Sequence, residues 1–187
     1  MNRADKRIEK TKQLIQNTLT QLMREKDIQS ITIKELCDIA NINRSTFYSH
    51  YEDIYNLYNE IESKVLNEIE AIINESAKEN YKNLYVTLTD EVSKNLNVLK
   101  ILFSDKGKSS FQNKLCQMIE RVYLDIWIFE MHKTTIPAEV RYLTAYHAQG
   151  CVAIIKLWIN SNLSDSSEKI SEILKIVNVN VDDICYE

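Results

Sequence analysis

Residues 32–51, TIKELCDIANINRSTFYSHY, decide the fold. Thr32 and Glu35 stand in T-x-x-E spacing ahead of the apolar positions Ile33, Leu36 and Ala40, which predicts a capped helix starting near Ile33. That helix stops near Ala40, because Asn41 tolerates the left-handed backbone of a sharp turn and Ile42 follows as an apolar plug between helices. Asn43 is then placed to cap a second helix. On it Phe47 and Tyr51 fall four residues apart and face inward, which turns Arg44, Ser45, Tyr48 and Ser49 outward. Two short helices about a tight turn make a helix-turn-helix, and an outward face of guanidinium, hydroxyls and phenol suits a phosphate-lined groove.

Working outward, Ile8, Ile15, Leu19, Leu22 and Met23 keep a helical period and predict a first helix over residues 5–25, packed over the motif, with its leading Lys and Arg residues flanking the DNA backbone. Downstream, Asp53 caps a long helix whose stripe Ile54, Leu57, Tyr58, Ile61, Val65, Ile69 and Ile72 runs to about residue 77. At ~1.5 Å per residue such a helix is a rod of roughly 37 Å. Further helices are predicted near 81–94, 96–103, 110–131, 138–162 and 167–178. The breaks between them are marked by SDKGKSS, by HKTTIP with the sole proline, and by SDSSEK, where Asp165 and Glu168 have capping-box spacing. VNVNVDD alternates weakly and reads as a frayed tail.

Two glycines and one proline in 187 residues leave few turns, so helices dominate. The N-terminus lacks an apolar h-region and no apolar run approaches a membrane span, which predicts a soluble, cytoplasmic protein without membrane contact. Cys37, Cys116, Cys151 and Cys185 lie far apart with no C-x-x-C, consistent with free thiols. The net charge of -4 argues against a polyanionic partner until its distribution is read. Residues 1–51 hold nine Lys and Arg against six Asp and Glu, and the remainder fourteen against twenty-one, so a positive head sits on an acidic body.

The motif resembles the DNA-binding domain of the TetR (tetracycline-repressor) family of bacterial transcriptional regulators over about residues 8–60. T-I-x-x-L-x-x-I-A-x-I-x-x-S-T-F-Y-x-H-Y carries the likeness, with Phe47-Tyr48 and His50-Tyr51 in the family's usual places. Asn41 stands where a glycine is usual, Cys37 where alanine is, and Ile54 where many members carry a phosphate-touching lysine. The resemblance implies an all-α chain: a three-helix helix-turn-helix DNA-binding head at 1–52, then a long connecting helix and a helical effector-binding and dimerisation domain within 53–187. AYHAQGCVAIIKLWINSN is similar to the C-terminal domain of a subgroup of these regulators.

It further implies a ligand-responsive homodimer acting, as a repressor, on a palindromic double-stranded DNA operator. Arg44, Ser45, Thr46, Tyr48, Ser49 and His50 would contact DNA and Thr32 would help hold phosphate. An unidentified small-molecule effector would bind among the middle helices, where Tyr85, Phe103, Phe111, Tyr123, Trp127 and His147, with Tyr81, are candidate lining that would serve equally as ordinary core. The helices from 138 and 167 carry apolar faces that a monomer would struggle to bury. They offer Tyr142, Tyr146, Gln149, Ala153, Leu157, Trp158, Ile173 and Leu174 for an intermolecular four-helix bundle, with Gly150 and Ala153 permitting close approach.

His50, His132 and His147 show neither i,i+4 pairing nor nearby Cys or acidic partners at metal spacing, so neither a metal nor a cofactor is expected. With no Gly-rich phosphate loop, G-x-S-x-G or H-E-x-x-H, the chain reads as a non-enzyme. Two competing readings stay open. One is a helical protein-interaction module of the same fold that has lost operator binding, for which Ile54 and the acidic body speak. The other is a small helical enzyme.

Overall fold

The computed structural model describes residues 3–77, 83–104 and 110–185. Among them the chain is helical without strands: α1 Arg3–Glu25, α2 Ile33–Ala40, α3 Arg44–Tyr48, α4 Ile54–Ala77, α5 Leu84–Lys94, α6 Leu96–Leu102, α7 Ser110–Met131, α8 Ala138–Asn160 and α9 Ser167–Cys185. A single 3-10 turn, Ile28–Ser30, joins α1 to the motif, and sequence periodicity gave no hint of it. No helix among the described residues is long and apolar enough to cross a membrane. The predicted start at residue 81, with Tyr81, lies outside the described residues. The chain divides into two compact units whose boundary, Asn67 and Glu68, falls inside α4.

In the first unit α1 buries Ile15, Leu19, Leu22 and Met23. Ile8, predicted to continue that stripe, is 49% exposed, so the packed face begins about two turns later, at Ile15. The motif helices contribute Leu36, Cys37, Ala40 and Phe47, and the first half of α4 adds Ile54, Leu57, Tyr58, Ile61 and Val65. Ile54 is only 6% exposed. The isoleucine that stands where many members carry a lysine thus begins α4's inward stripe, four residues before Tyr58.

In the second unit α8 packs against α7 and α9, and α9 against α5. One core cluster joins Trp127 and Val140 with Tyr123, Leu124 and Leu143 around them. A second joins Cys151, Trp158, Ile170 and Leu174, flanked by Tyr85, Val92 and Leu163. The helix ends follow local chemistry. At the end of α8 Asn162 and Leu163 take positive φ, and Leu163 N donates to Trp158 O at 3.0 Å, closing a left-handed cap. Ser166, one residue later than the predicted Asp165, caps α9 by accepting from Lys169 N at 3.3 Å, while Asp165 pairs with Lys169 Nζ. The predicted frayed tail is helical to Cys185.

Candidate functional site

The helix-turn-helix forms by the local rules its sequence carries, with two exceptions. Thr32 Oγ1 accepts from Glu35 N at 3.2 Å, but the Glu35 carboxylate takes Lys26 Nζ, so only the threonine half of the capping box is made. Asn41 sits at φ 51 and ψ 50, and Ile42 N reaches back to Cys37 O at 3.0 Å, the six-to-one bond of a Schellman turn. Asn43 takes the cap position of α3 without a side-chain cap bond, its carbonyl instead receiving Thr46 N and Phe47 N. The resulting α3 spans five residues, too short to hold itself in water. Packing of Phe47, fully buried between the rings of Tyr48 and Tyr51 at 5.7 Å each, holds it.

Around that anchor Arg44, Ser45 and Ser49 are exposed, Tyr48 is 58% exposed, and Thr46 and His50 are half-buried. Exposed Thr32 spends an oxygen lone pair on the cap and keeps its hydroxyl hydrogen to donate. Ser49 has already donated its hydrogen to Thr46 O at 2.7 Å, which leaves it an acceptor, poorly suited to phosphate oxygens. His50 lies past the end of α3, its ring tilted 6.4 Å from that of Tyr51. Lys6, Arg7, Lys10 and Lys34 are exposed on the same unit, whereas Lys12 and Lys26 are engaged by Glu60 and Glu35. Burial holds the Cys37 thiol above its ordinary pKa although Arg44 pulls it down and Asp38 adds to the rise, so Cys37 is packing rather than a nucleophile.

The residues expected to line a pocket are spread over several packing contacts of the second unit. Phe103 and Phe111 stack edge to face at 5.3 Å, both buried. Trp127 belongs to the cluster with Val140, and Tyr85 to the cluster with Trp158 and Leu174. Tyr123 meets His147 at 5.5 Å between ring centroids. Sequence reasoning missed what His147 does next: Cys151, four residues on, brings its Sγ to 3.6 Å of Nε2. An i,i+4 His-x-x-x-Cys pair was therefore present in the sequence. Among the described residues no group of three metal-ligating side chains forms around it. Burial, with Cys116 adding to it, pushes the Cys151 thiol up to about 12, so the thiol is neutral beside the imidazole. Thr144, one turn before, is fully buried, and its hydroxyl has no partner among the described residues. Thr144, His147 and Cys151 thus form a polar strip on the buried face of α8.

The opposite side of α8 is apolar and open. Tyr142, Tyr146 and Leu157 are 78%, 70% and 70% exposed, Gln149 and Ala153 are exposed between them, and their spacing of four, three, four and four keeps one face. A Cβ added at Gly150 would meet open space. On α9 Ile173 and Ile176 are exposed. Trp158 and Leu174, expected on this face, are 3% and 2% exposed and pack inside the same chain, with Trp158 Nε1 donating to Asp165 O at 2.8 Å. Leu157 and Trp158 stand 100° apart on the helix, and only the first looks outward.

The family model described as the C-terminal region of transcriptional regulators, of the TetR class, matches residues 79–179. No curated protein matches the chain. Among solved structures, a TetR transcriptional regulator from Streptococcus agalactiae is 23% identical with a TM-score of 0.66, the match covering 93% of this chain and 97% of that one. The dihydroxyacetone kinase operon activator DhaS is 20% identical with a TM-score of 0.62, over 92% of this chain and 96% of that one. NalD of Pseudomonas aeruginosa, the secondary repressor of a multidrug efflux pump, is 14% identical with a TM-score of 0.60, over 95% and 94%. At these identities the likeness is one of fold.

Proposed function

This chain belongs to the TetR family of transcriptional regulators, and we propose that it is a cytoplasmic, ligand-responsive, DNA-binding regulator that works as a homodimer on a palindromic operator. The observation that carries the reading is the outward face of α3, where Arg44, Ser45 and Tyr48 are exposed around a buried Phe47 anchor. Arg44 is the residue assigned to read a base edge, because it opens the helix and its fork matches guanine O6 and N7. Thr32 and the exposed lysines of the head are assigned to phosphate, and Thr46, Ser49 and His50 to the rim of the contact. Seating a dimer on an operator obstructs polymerase unless a further contact recruits it, so the sense of regulation proposed is repression.

The partner surface assigned to the second copy is the exposed face of α8 and α9, Tyr142, Tyr146, Gln149, Ala153, Leu157 and Ile173. A two-fold pairing of these helices gives a four-helix bundle and buries the same patch on both chains. The effector region is assigned to Tyr123, Thr144, His147 and Cys151, a few polar groups on a mainly apolar face. An effector that binds there must change DNA affinity by the same factor by which DNA changes effector affinity.

The test is a titration of a duplex spanning the intergenic DNA upstream of the chain's own gene, over a range of salt, with a random-sequence duplex for comparison. Each phosphate contact contributes about 0.9 to the log-log salt slope. Arg44→Ala should cost about 1–3 kcal/mol on the preferred duplex and relax preference at one base pair. A wild-type protein that ignores both duplexes at low salt would hand the case to the protein-interaction reading, which the acidic second unit otherwise supports.

A further inference from the structure

One side chain in the first unit ties three of its elements together. Glu60, on α4, accepts from Lys12 Nζ at 3.2 Å on each carboxylate oxygen, from Gln16 Nε2 at 3.1 Å and from Tyr51 Oη at 3.1 Å. Lys12 and Gln16 come from α1. Gln16 Nε2 also lies 3.3 Å from Tyr51 Oη, and Lys12 Nζ sits 5.6 Å from the centre of the Tyr51 ring. Tyr51 is 2% exposed, and Gln16 and Glu60 are the partners of its hydroxyl in the folded chain.

Tyr51 in turn is joined to the recognition helix by backbone and by ring. Its N donates to Phe47 O at 3.0 Å, and its ring meets that of Phe47 at 5.7 Å. Five residues of helix cannot fix their own direction, so the orientation of α3 is inherited from Phe47 and Tyr51, and the orientation of Tyr51 from Glu60. We propose that Glu60 is a positioning residue for DNA recognition: through the Tyr51 hydroxyl it holds α3 at the angle that presents Arg44 and Tyr48, without touching DNA itself. The proposal rests on the DNA-binding reading above.

Loss of the hub leaves the bound complex as it was and lowers the fraction of free protein already in the competent geometry, so affinity falls by that fraction while the phosphate contacts are retained. The experiment measures Kd and its salt slope on the two duplexes named above for Tyr51→Phe, Glu60→Gln, Glu60→Ala and the double variant, at a temperature well below each melting midpoint. Glu60→Ala should bind about tenfold more weakly, with a slope like the wild type's. Glu60→Gln, which keeps an acceptor for Tyr51, should recover most of that loss. Tyr51→Phe combined with Glu60→Ala should be no worse than Glu60→Ala alone, since both break the same path. Wild-type affinity in Glu60→Ala, or strictly additive losses in the double variant, would overturn the proposal. Should Glu60→Ala not fold, Glu60→Gln and Tyr51→Phe decide, and normal binding by Tyr51→Phe refutes it. Arg44→Ala separates the two levels: if it weakens binding and the hub variants do not, only the positioning role falls, and if no DNA is bound at all, both readings fall together.

Discussion

Replacing Leu157 with alanine separates the proposed subunit contact from the chain's own stability. Leu157 is 70% exposed, so in a lone chain most of its apolar surface remains in water. Burying a leucine fully stabilises by about 1.5–3 kcal/mol, so a partner covering the exposed share gains about 1–2 kcal/mol per chain. Two-fold symmetry repeats the contact, giving about 2–4 kcal/mol per dimer, or a dimer roughly 30- to 700-fold weaker in Leu157→Ala. Alanine is the best helix former, so the fold of the chain itself should be unaffected. Sedimentation equilibrium from nanomolar to tens of micromolar protein reads the dimer constant, and circular dichroism at matched concentration reads the fold. Trp158→Ala is the counterpart. At 3% exposure and with its indole N–H on Asp165 O it belongs to the chain's core, and its loss should cost about 3–5 kcal/mol of folding. A Leu157→Ala protein with an undiminished dimer constant would show that this face is not the contact.

Because Ile54 is buried, Ile54→Lys should lower folding stability by about 2 kcal/mol or more without steepening the salt slope of DNA binding, and a steeper slope at unchanged stability would place the position on the DNA side. Asn41→Gly should be neutral or slightly stabilising in thermal denaturation, while Asn41→Val, forced to φ 51, should cost about 1–2 kcal/mol. Burial raises the Tyr51 and Tyr58 phenols from 10 to about 12, with the Glu60 charge adding at Tyr51, where the Gln16 hydrogen bond opposes it, and the Glu62 charge adding at Tyr58. In the unfolded chain they ionise near 10, so the stability they contribute is full below pH 10 and lost as pH rises toward about 12. Ultraviolet titration should show Tyr51 and Tyr58 ionising late, toward about 12, and Tyr51→Phe should remove one of these late steps.

The helix-turn-helix was legible because each of its boundaries is a local matter. Thr32 caps, Asn41 turns, and the four-residue interval of Phe47 and Tyr51 sets the inward face, so a window of twenty residues contains its own instructions. Asp53 did the same for α4, its carboxylate accepting from Asn56 N at 2.7 Å. VNVNVDD misled for the complementary reason: five alternating residues suggest a period of two, but a helix already running extends at one hydrogen bond per residue and carries the alternation with it.

What was illegible is which of two apolar stripes on one helix turns inward. Along α8 the run from Tyr142 to Trp158 has apolar residues on nearly every side, and hydrophobicity alone cannot say that Trp158 faces α9 while Leu157 faces out. That choice is made by the neighbours, α7 and α9, which occupy one side of α8 and leave the other bare. The polar strip Thr144, His147 and Cys151 was hidden by the same ambiguity, since a histidine and a cysteine four apart become a pair only once both are known to share the covered side. Once the faces are assigned, the two halves of α8 make different demands on substitution. Changes at Thr144, His147 or Cys151 disturb a filled interior and should register in folding or in effector response, whereas changes at Tyr146, Ala153 or Leu157 leave the single chain intact and should register only where two chains meet.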